Sequence, residues 1–302
     1  MQAPLFGTFV TPSSANPQQV LDLAVAADDG GLDLVTFQDH PYQPALMDTP
    51  TLLSFVAART SRVHLSANVT NLPLRPPAML ARSAATLDIL SGGRFELGIG
   101  TGAFAEAIEA IGGQPLKGGN AVKALGEAIT LIRELLDTET RGGVRLDGEF
   151  FHARGAKRGP ATPHRIDIWV GAYGPRMLGV TGRMADGWLP TLEYIPTGLD
   201  GVRSMNARID AAATEAGRAP TEILRLVNVM NATLSPTVSG FLNGPAQAWI
   251  DQLIETISDG TLDGVLIGGD DLATTRRFAE EIVPAVRAGI GTTVFDRVAA
   301  TS

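Results

Sequence analysis

Residues 63–102 constrain the fold of this chain more than any other stretch. They start with a short apolar run at residues 63–69, which is typical of a buried strand. A helix is predicted at residues 76–90, because proline stands at its start and two glycines follow its end. A second apolar run at residues 95–99 leads into Gly100-Thr101-Gly102. This strand–helix–strand order predicts two neighbouring parallel strands with a right-handed crossover.

The same alternation continues through the rest of the chain. Strands are predicted at residues 5–10, 34–37, 63–69, 95–99, 167–170, 187–189, 225–230 and 264–267. Helices are predicted at residues 17–29, 49–60, 76–90, 120–136, 175–183, 199–216, 245–257 and 271–286. Residues 103–119 are expected to be irregular. Residues 141–165 carry Gly-Gly and Asp-Gly turn signals and predict a surface excursion with a short hairpin.

Eight short strands, each followed by a helix, favour a (β/α)8 TIM barrel with an excursion after strand 4. No linker or repeat interrupts the pattern, so a single domain over residues 1–302 is predicted. The rival architecture is a doubly wound open sheet, which would carry fewer strands and a GxGxxG motif after the first strand. Residues 6–9, Phe-Gly-Thr-Phe, contain no such motif.

Composition narrows the classes of function. The formal net charge of −8 argues against nucleic acid as a partner, because neutralising phosphates requires clustered lysine and arginine. No apolar run reaches the roughly 18 residues of a membrane helix, and the N-terminal residues do not resemble a signal peptide. A cytoplasmic protein with no membrane partner is therefore expected. The absence of cysteine excludes disulfides and thiol catalysis.

In a barrel, reacting groups lie at the C-terminal ends of the strands. Those ends are predicted to carry Thr8 to Thr11, Gln38-Asp39-His40, Asn68-Val69-Thr70, Gly100-Thr101-Gly102, Gly171 to Gly174, Glu193 and Gly268-Gly269. They are rich in glycine and poor in ionisable groups, which suits a large flat cofactor held by backbone contacts better than it suits hydrolysis. The four histidines are scattered along the sequence, so no metal site is expected and a metal-dependent hydrolase is a poor alternative.

Asp39 and His40 form the sharpest pair of candidate residues. A carboxylate and an imidazole at a strand end can bind the edge of a heterocycle and move a proton near neutral pH. Asp39 can equally act as a loop cap whose side chain bonds to the backbone. The residues alone leave both interpretations open.

One stretch resembles a known family. Asn68-Val69, a Leu-Arg-Pro-Pro loop and the run SGGRFELGIGTG at residues 91–102 resemble the luciferase-like flavin oxidoreductases, and more narrowly their members that use the deazaflavin coenzyme F420. The resemblance implies a luciferase-like barrel, usually a homodimer, that transfers a hydride between F420 and a small organic substrate. The alternatives are an FMN-dependent luciferase-like monooxygenase and a non-catalytic flavin-binding barrel.

The resemblance also implies roles for individual residues. His40 would lie over the reactive face of the cofactor as a catalytic residue, and the Asn68–Val69 peptide would be cis and press against the central ring. The residues expected to bind the cofactor are Asp39, Asn68, Val69, Thr70, Gly100, Thr101, Gly102, Gly171, Ala172, Tyr173, Gly174 and Arg176. Within this set, Gly171 to Gly174 and Arg176 would bind phosphate, because backbone N–H groups at a helix start favour anions.

The chain departs from the family pattern at one position that matters for the chemistry. Relatives that oxidise sugar phosphates carry a glutamate as proton donor immediately after Gly-Thr-Gly, where this chain has Ala103. They also carry a tryptophan soon after the Asp-His pair, where this chain has Pro41-Tyr42. Sugar-phosphate dehydrogenase activity is therefore not expected. Glu193 is the preferred replacement proton donor, with Glu106 and Glu109 as further candidates.

Overall fold

The computed structural model describes residues 3–290. The strands are β1 (Leu5–Val10), β2 (Leu34–Phe37), β3 (His64–Ala67), β4 (Thr70–Asn71), β5 (Phe95–Gly100), β6 (Val144–Asp147), β7 (His152–Ala156), β8 (Ile168–Val170), β9 (Gly187–Trp188), β10 (Leu224–Val229), β11 (Thr233–Leu234), β12 (Asn243–Gly244) and β13 (Gly264–Gly268). The helices are α1 (Pro17–Asp29), α2 (Thr49–Ala57), α3 (Pro77–Ser91), α4 (Ala105–Ala110), α5 (Gly118–Leu136), α6 (Pro175–Met184), α7 (Leu199–Glu215), α8 (Ala246–Ser258), α9 (Leu272–Arg277) and α10 (Val283–Gly289), with a π-helical turn, Phe278–Ile282, before α10. None of the helices in this part of the chain has the length and apolarity to span a membrane.

Parallel strands close into a barrel. The order around it is β1, β2, β3, β5, β8, β9, β10 and β13, and β13 pairs again with β1. The short strand β4 continues the path of β3 and pairs with the C-terminal end of β5. The predicted (β/α)8 TIM barrel is therefore confirmed, including the antiparallel β6–β7 hairpin of the excursion.

The core has two layers because successive side chains of a strand point to opposite faces. On β10, Leu224 and Leu226 belong to a small cluster with Trp169, whereas Val227 and Val229 belong to the large cluster that includes helix residues. We interpret the small cluster as the filling of the barrel interior. Gly187 makes room for it, since a Cβ atom there would lie 2.5 Å from the Trp169 ring.

Three aspartates stand immediately before barrel strands and anchor the neighbouring strand. Asp33 precedes β2 and accepts a hydrogen bond from the Phe6 N–H of β1 at 2.7 Å. In the same way, Asp186 before β9 accepts from Ile168 N of β8, and Asp263 before β13 accepts from Arg225 N of β10. These bonds satisfy donors at the N-terminal end of the barrel, where the ladder begins.

The structure differs from the expected elements in a few places. Residues 103–119, expected to be irregular, contain α4, whose Ile108 is fully buried. The helix predicted to end at residue 60 ends at Ala57, because the Arg94 guanidinium donates to the carbonyls of Ala57 and Thr60. The strand predicted at residues 63–69 ends at Ala67 and continues as β4 after a break.

Candidate active site

The break between β3 and β4 lies at the C-terminal end of the barrel. The peptide bond between Asn68 and Val69 is cis, which confirms the geometry implied by the resemblance. The flanking residue Thr70 is buried and pairs with Ile99 of β5. This segment therefore forms part of the barrel wall at the end where reacting groups are expected.

A network of neutral polar side chains supports this segment from inside the barrel. The Asn68 amide donates to Asn228 Oδ1 at 2.7 Å and to Thr36 Oγ1 at 3.2 Å. The Asn228 amide donates back to Asn68 Oδ1 at 3.1 Å and to Thr191 Oγ1 at 3.3 Å. All four residues are buried. Sequence reasoning missed Asn228 and Thr191, because they are far from Asn68 along the chain and only barrel closure brings them together.

The side chain of Val69 accounts for two of the glycines that were expected to bind the cofactor. A Cβ atom at Gly100 would lie 2.7 Å from Val69 Cγ2, and one at Gly171 would lie 3.1 Å from the same methyl group. Gly102 has a positive φ of 77°, and a Cβ there would lie 2.6 Å from Ile108. These three glycines therefore make room for protein side chains, whereas a Cβ at Gly174 would meet no atom within 4 Å.

Asp39 has protein partners for both of its carboxylate oxygens. Its Oδ1 accepts from Arg75 Nη2 at 2.8 Å, and its Oδ2 accepts from Arg75 Nε and from Asn71 N, both at 2.9 Å. Arg75 also donates to Asp48, the N-cap of α2, at 2.7 Å. Asp39 is buried, so its visible role is to join the loops after β2 and β4. Arg75 was not predicted as a site residue, although it belongs to the Leu-Arg-Pro-Pro loop, because the sequence does not show that this loop meets Asp39.

His40 lies in an aromatic cluster with Tyr42 and Phe104. The ring centroids are 5.4 Å apart for His40 and Tyr42, and 5.5 Å apart for His40 and Phe104. The Tyr42 hydroxyl lies 2.5 Å from His40 Nδ1. Neither Tyr42 nor Phe104 was predicted as a site residue, because nothing in the local sequence indicates that they meet His40.

The environment keeps both groups of the His40–Tyr42 pair neutral at physiological pH. Burial lowers the pKa of His40 below its usual value, although the nearby Asp39 charge opposes this shift. Burial and the Asp39 charge raise the pKa of Tyr42 to about 12. Tyr42 therefore keeps its proton, and its hydroxyl can donate to Nδ1 or accept from Nδ1–H, according to the tautomer of the neutral imidazole.

The segment from Gly171 to Arg176 follows β8 and leads into α6. Ala172 is buried, and its carbonyl accepts a hydrogen bond from the Trp188 indole at 2.9 Å. The Tyr173 hydroxyl accepts from the backbone N–H of Thr191 at 2.8 Å. Arg176 is exposed in the first turn of α6, and a Cβ at Gly119 in α5 would lie 3.5 Å from its guanidinium. The starts of α5 and α6 therefore meet near Arg176.

A family model described as luciferase-like monooxygenase matches residues 5–234. The chain belongs to the luciferase-like monooxygenase family.

Named relatives of the chain include two groups of enzymes. The phthiodiolone/phenolphthiodiolone dimycocerosates ketoreductase of Mycobacterium sp. (strain JLS) is 37% identical over 206 residues, which cover 64% of this chain and 50% of that protein. The F420-dependent glucose-6-phosphate dehydrogenase of Gordonia bronchialis is 33% identical over 183 residues, covering 58% and 53%. The chain thus spans about half the length of these relatives.

Among solved structures, an F420-dependent secondary alcohol dehydrogenase in complex with an F420-acetone adduct superposes with a TM-score of 0.82. The sequence identity is 18%, and the match covers 95% of this chain and 100% of that one. At this identity the likeness shows the luciferase-like barrel fold alone.

Two residues expected in the site of this luciferase-like protein have other contacts. Glu193 accepts a hydrogen bond from Asn231 N at 2.8 Å, so its carboxylate holds the loop after β10. Thr101 lines a groove with Leu72, Pro76 and Phe150. Neither residue has a contact with His40 among those seen in residues 3–290.

Two buried polar atoms on β1 and β4 lack a hydrogen-bond partner in the described part of the chain. Thr8 Oγ1 and Asn71 Oδ1 are buried and have no hydrogen-bond partner within the described residues. Such orphaned groups cost free energy unless a ligand or water satisfies them. A deazaflavin ring offers both donors and acceptors at its edge, so these residues fit it.

Two histidines that are far apart in the sequence lie together in the structure. His64 and His164 lie together with Glu96, and one ligand atom from each residue falls within 4.8 Å of the other two. His64 begins β3, so this cluster lies at the N-terminal end of the barrel, away from His40. Its chemistry is separate from that of the candidate active site.

Proposed function

We propose that this protein is an F420-dependent oxidoreductase that transfers a hydride between the cofactor and a small neutral carbonyl compound or alcohol. The names of the relatives support an F420-dependent activity. The observation that carries the proposal is the half-buried His40–Tyr42 pair under Phe104, at the end of the barrel where luciferase-like proteins are expected to react. When bound, the deazaflavin supplies or accepts the hydride at C5.

The residues of this chain would bind the cofactor at two places. Asn68 and Val69, supported by the amide of Asn228, would contact the ring system, and Thr8 and Asn71 would bond to its polar edge. Gly171 to Gly174 and Arg176 would bind the phosphate end, because Arg176 is exposed and Gly174 is open. The walls of the cofactor site would be formed by the remaining predicted residues, Asp39, Thr70, Gly100, Thr101 and Gly102.

His40 would handle the proton. In the oxidising direction, an unprotonated Nε2 of the neutral imidazole would accept the hydroxyl proton of the alcohol as the hydride leaves its carbon, and in the reducing direction the resulting imidazolium would return that proton to the carbonyl oxygen. The Tyr42 hydroxyl, by accepting from Nδ1–H, would hold the imidazole in the tautomer that this step needs. This pair would supply the proton that a glutamate at the position of Ala103 supplies in sugar-phosphate relatives. Glu193 remains a weaker candidate for this role, because its carboxylate is held by Asn231.

The character of the pocket supports a neutral substrate. The groups seen in contact with His40 are the rings of Tyr42 and Phe104. The nearby guanidinium of Arg75 is already paired with Asp39 and Asp48. With Arg75 engaged in this way, the contacts seen around His40 are aromatic rather than cationic, which suits a neutral ketone or secondary alcohol.

Titration of the purified protein with F420 and with FMN, oxidised and reduced, tests the cofactor by fluorescence. We expect micromolar or tighter binding of F420 and much weaker binding of FMN. Stoichiometric FMN in the purified protein, with no response to F420, would instead indicate an FMN-dependent luciferase-like monooxygenase. Binding of F420 without turnover of any ketone or alcohol would favour a non-catalytic flavin-binding barrel.

We also propose a homodimer in the cytoplasm, formed through the neighbouring helices α2 and α3. These helices expose four large apolar side chains, Phe55, Met79, Ile89 and Leu90, of which Leu90 is 75% exposed. Large apolar side chains exposed on neighbouring helices are typical of interaction surfaces. Sedimentation of wild type and of Leu90→Glu tests the dimer, and a monomeric wild type would contradict it.

Cell fractionation tests the proposed location in the cytoplasm.

A further inference from the structure

Three side chains with metal-binding atoms converge at the N-terminal end of the barrel. His64 begins β3, Glu96 lies on the neighbouring strand β5, and His164 precedes β8. The register of the two strands pairs Ser66 with Glu96, which brings the start of β3 alongside the carboxylate. Because His64 and His164 are 100 positions apart, only barrel closure could bring them together.

The two nitrogen–oxygen separations are close to those of metal ligands, and all three ligand atoms lie within 4.8 Å of one another. His64 Nδ1 lies 3.1 Å from Glu96 Oε1, and His164 Nε2 lies 3.3 Å from the same oxygen. With metal–ligand bonds of about 2.0–2.2 Å, the atoms of a tetrahedral site are roughly 3.3–3.6 Å apart. Two imidazoles and one carboxylate are a common set of protein ligands for zinc.

Neighbouring groups orient the three ligands. Asp88 Oδ1 lies 2.9 Å from His164 Nδ1, an ion-pair distance without hydrogen-bond geometry, and its charge would favour a proton on that nitrogen, with the lone pair on Nε2. The other oxygen of Glu96 accepts a hydrogen bond from Asp167 N at 2.8 Å, so Oε1 faces the histidines. Asp88 is fully buried, and its Oδ2 has no hydrogen-bond partner in the described chain.

The buried carboxylates of this cluster also favour the binding of a cation. Glu96 is 2% exposed and Asp88 is 0% exposed, so two carboxylates lie buried within reach of the two imidazoles. Buried charges are stable only when they are paired or bound to a metal. A divalent ion bound by neutral histidines would balance both carboxylates. The rival arrangement has a proton on His164 in the place of the ion.

We propose that His64, Glu96 and His164 bind a divalent transition-metal ion, for which zinc is the reference. The side chains of His64 and His164 are 20% and 29% exposed, so water can reach the fourth coordination position. The site lies at the end of the barrel where residues serve stability rather than catalysis. Its role is therefore to join β3, β5 and the segment before β8.

Calorimetric titration of the metal-stripped protein with zinc chloride tests the proposal without F420 or substrate. We expect one equivalent to bind saturably and to raise the melting temperature. His64→Ala and His164→Ala should each weaken binding by at least about 100-fold, and Asp88→Asn by roughly 10–100-fold, as for other residues that orient metal ligands. His152→Ala is the matched control, because His152 lies outside the cluster on β7, and it should bind as wild type.

A second measurement avoids dependence on the variants. Cobalt(II) added to the stripped wild type should give the intense visible bands of a four-coordinate ion, which six-coordinate cobalt in buffer lacks. Absence of saturable zinc binding to the wild type would overturn the proposal and leave the proton on His164. Undiminished binding to both alanine variants would overturn it as well. If either variant fails to fold, the cobalt spectrum of the wild type decides.

Discussion

At the N-terminal end of the barrel, charged side chains meet in pairs, whereas at the C-terminal end most polar groups are neutral amides and hydroxyls. The pairs include Asp33 with Arg287, Asp186 with Arg133 and Arg165, Asp210 with Arg225, and Asp88 with His164. Within residues 3–290, the opposite end contains the Asn68–Asn228 pair and an ionic group of three, Asp39, Arg75 and Asp48.

The difference follows from what each end must do. Closing the barrel requires partners for the donors at the strand ends, and the aspartates before β2, β9 and β13 provide them. A binding site must instead keep some groups unpaired until a ligand arrives, as Thr8 and Asn71 do. Neutral groups can remain unpaired at a far lower cost than charges.

The largest effect should come from the C-terminal end. His40→Ala is expected to lower kcat/KM by roughly 10²–10⁴-fold, the contribution of one acid–base group. F420 affinity and the melting temperature should change little, because the backbone holds the cofactor and His40 is only half-buried. Tyr42→Phe keeps the ring but removes the hydroxyl, and it should lower kcat/KM by about tenfold, equivalent to one hydrogen bond. Steady-state kinetics on both variants would refute the proton role if turnover is unchanged.

Damage at the N-terminal end should lower stability and leave binding intact. Asp186→Ala removes the partner of Arg133, Arg165 and Ile168 N and should lower the free energy of unfolding by about 3 kcal/mol. Urea denaturation measures this loss. The control Asp147→Ala removes a carboxylate that is 94% exposed and should have almost no effect. A weaker F420 affinity in Asp186→Ala would mean that the two ends are coupled.

Asn228 tests whether the neutral network serves binding as well as stability. Asn228→Ala leaves the Asn68 amide with Thr36 as its remaining partner, which should lower stability by about 1–3 kcal/mol. Because Asn68 then loses its support, F420 affinity should fall by about tenfold, equivalent to one hydrogen bond. A variant that is less stable yet binds F420 as well as wild type would assign the network to stability alone.

The smallest expected effect is a pH shift. Burial lowers the pKa of His40, so the acid limb of kcat/KM should lie below pH 6.5, the ordinary value. The same shift adds stability above the unfolded pKa, and this stability is lost as the pH falls through the folded pKa. The Asp39 charge raises the pKa of His40, so Asp39→Asn should move the limb to still lower pH. A limb that moves upward in a pH–rate profile would contradict this assignment.

Much of the fold could be predicted because the signals are local. The strand at Leu5–Val10 and the helix at Pro17–Asp29 have the predicted bounds, since apolar periodicity, proline and glycine mark them. The helix at residues 105–110 was missed because it is short and lies among turn residues. His40 could be proposed from its place after a strand, and the cis peptide from the family resemblance.

The residues that surround these candidates could not be predicted. Asp39 was expected to bind the cofactor, yet its partners are Arg75 and Asn71, which lie beyond the next strand. Gly100 and Gly171 were expected to admit a ligand, yet both make room for Val69. Neither result has a sequence signal, because each depends on how loops from different strands pack together.

The extent of a single domain over residues 1–302 stays a prediction.

The sequence by itself determined the alternation of strands and helices, and with it the barrel and the end at which chemistry is expected. Tertiary structure alone decided which distant polar groups meet: Asn68 with Asn228, His40 with Phe104, and His64 with His164. The physical reason is the distance along the chain over which each effect acts. Periodicity and capping act over a few residues, whereas barrel closure brings into contact side chains that are far apart along the chain, 160 positions for Asn68 and Asn228 and 254 for Asp33 and Arg287.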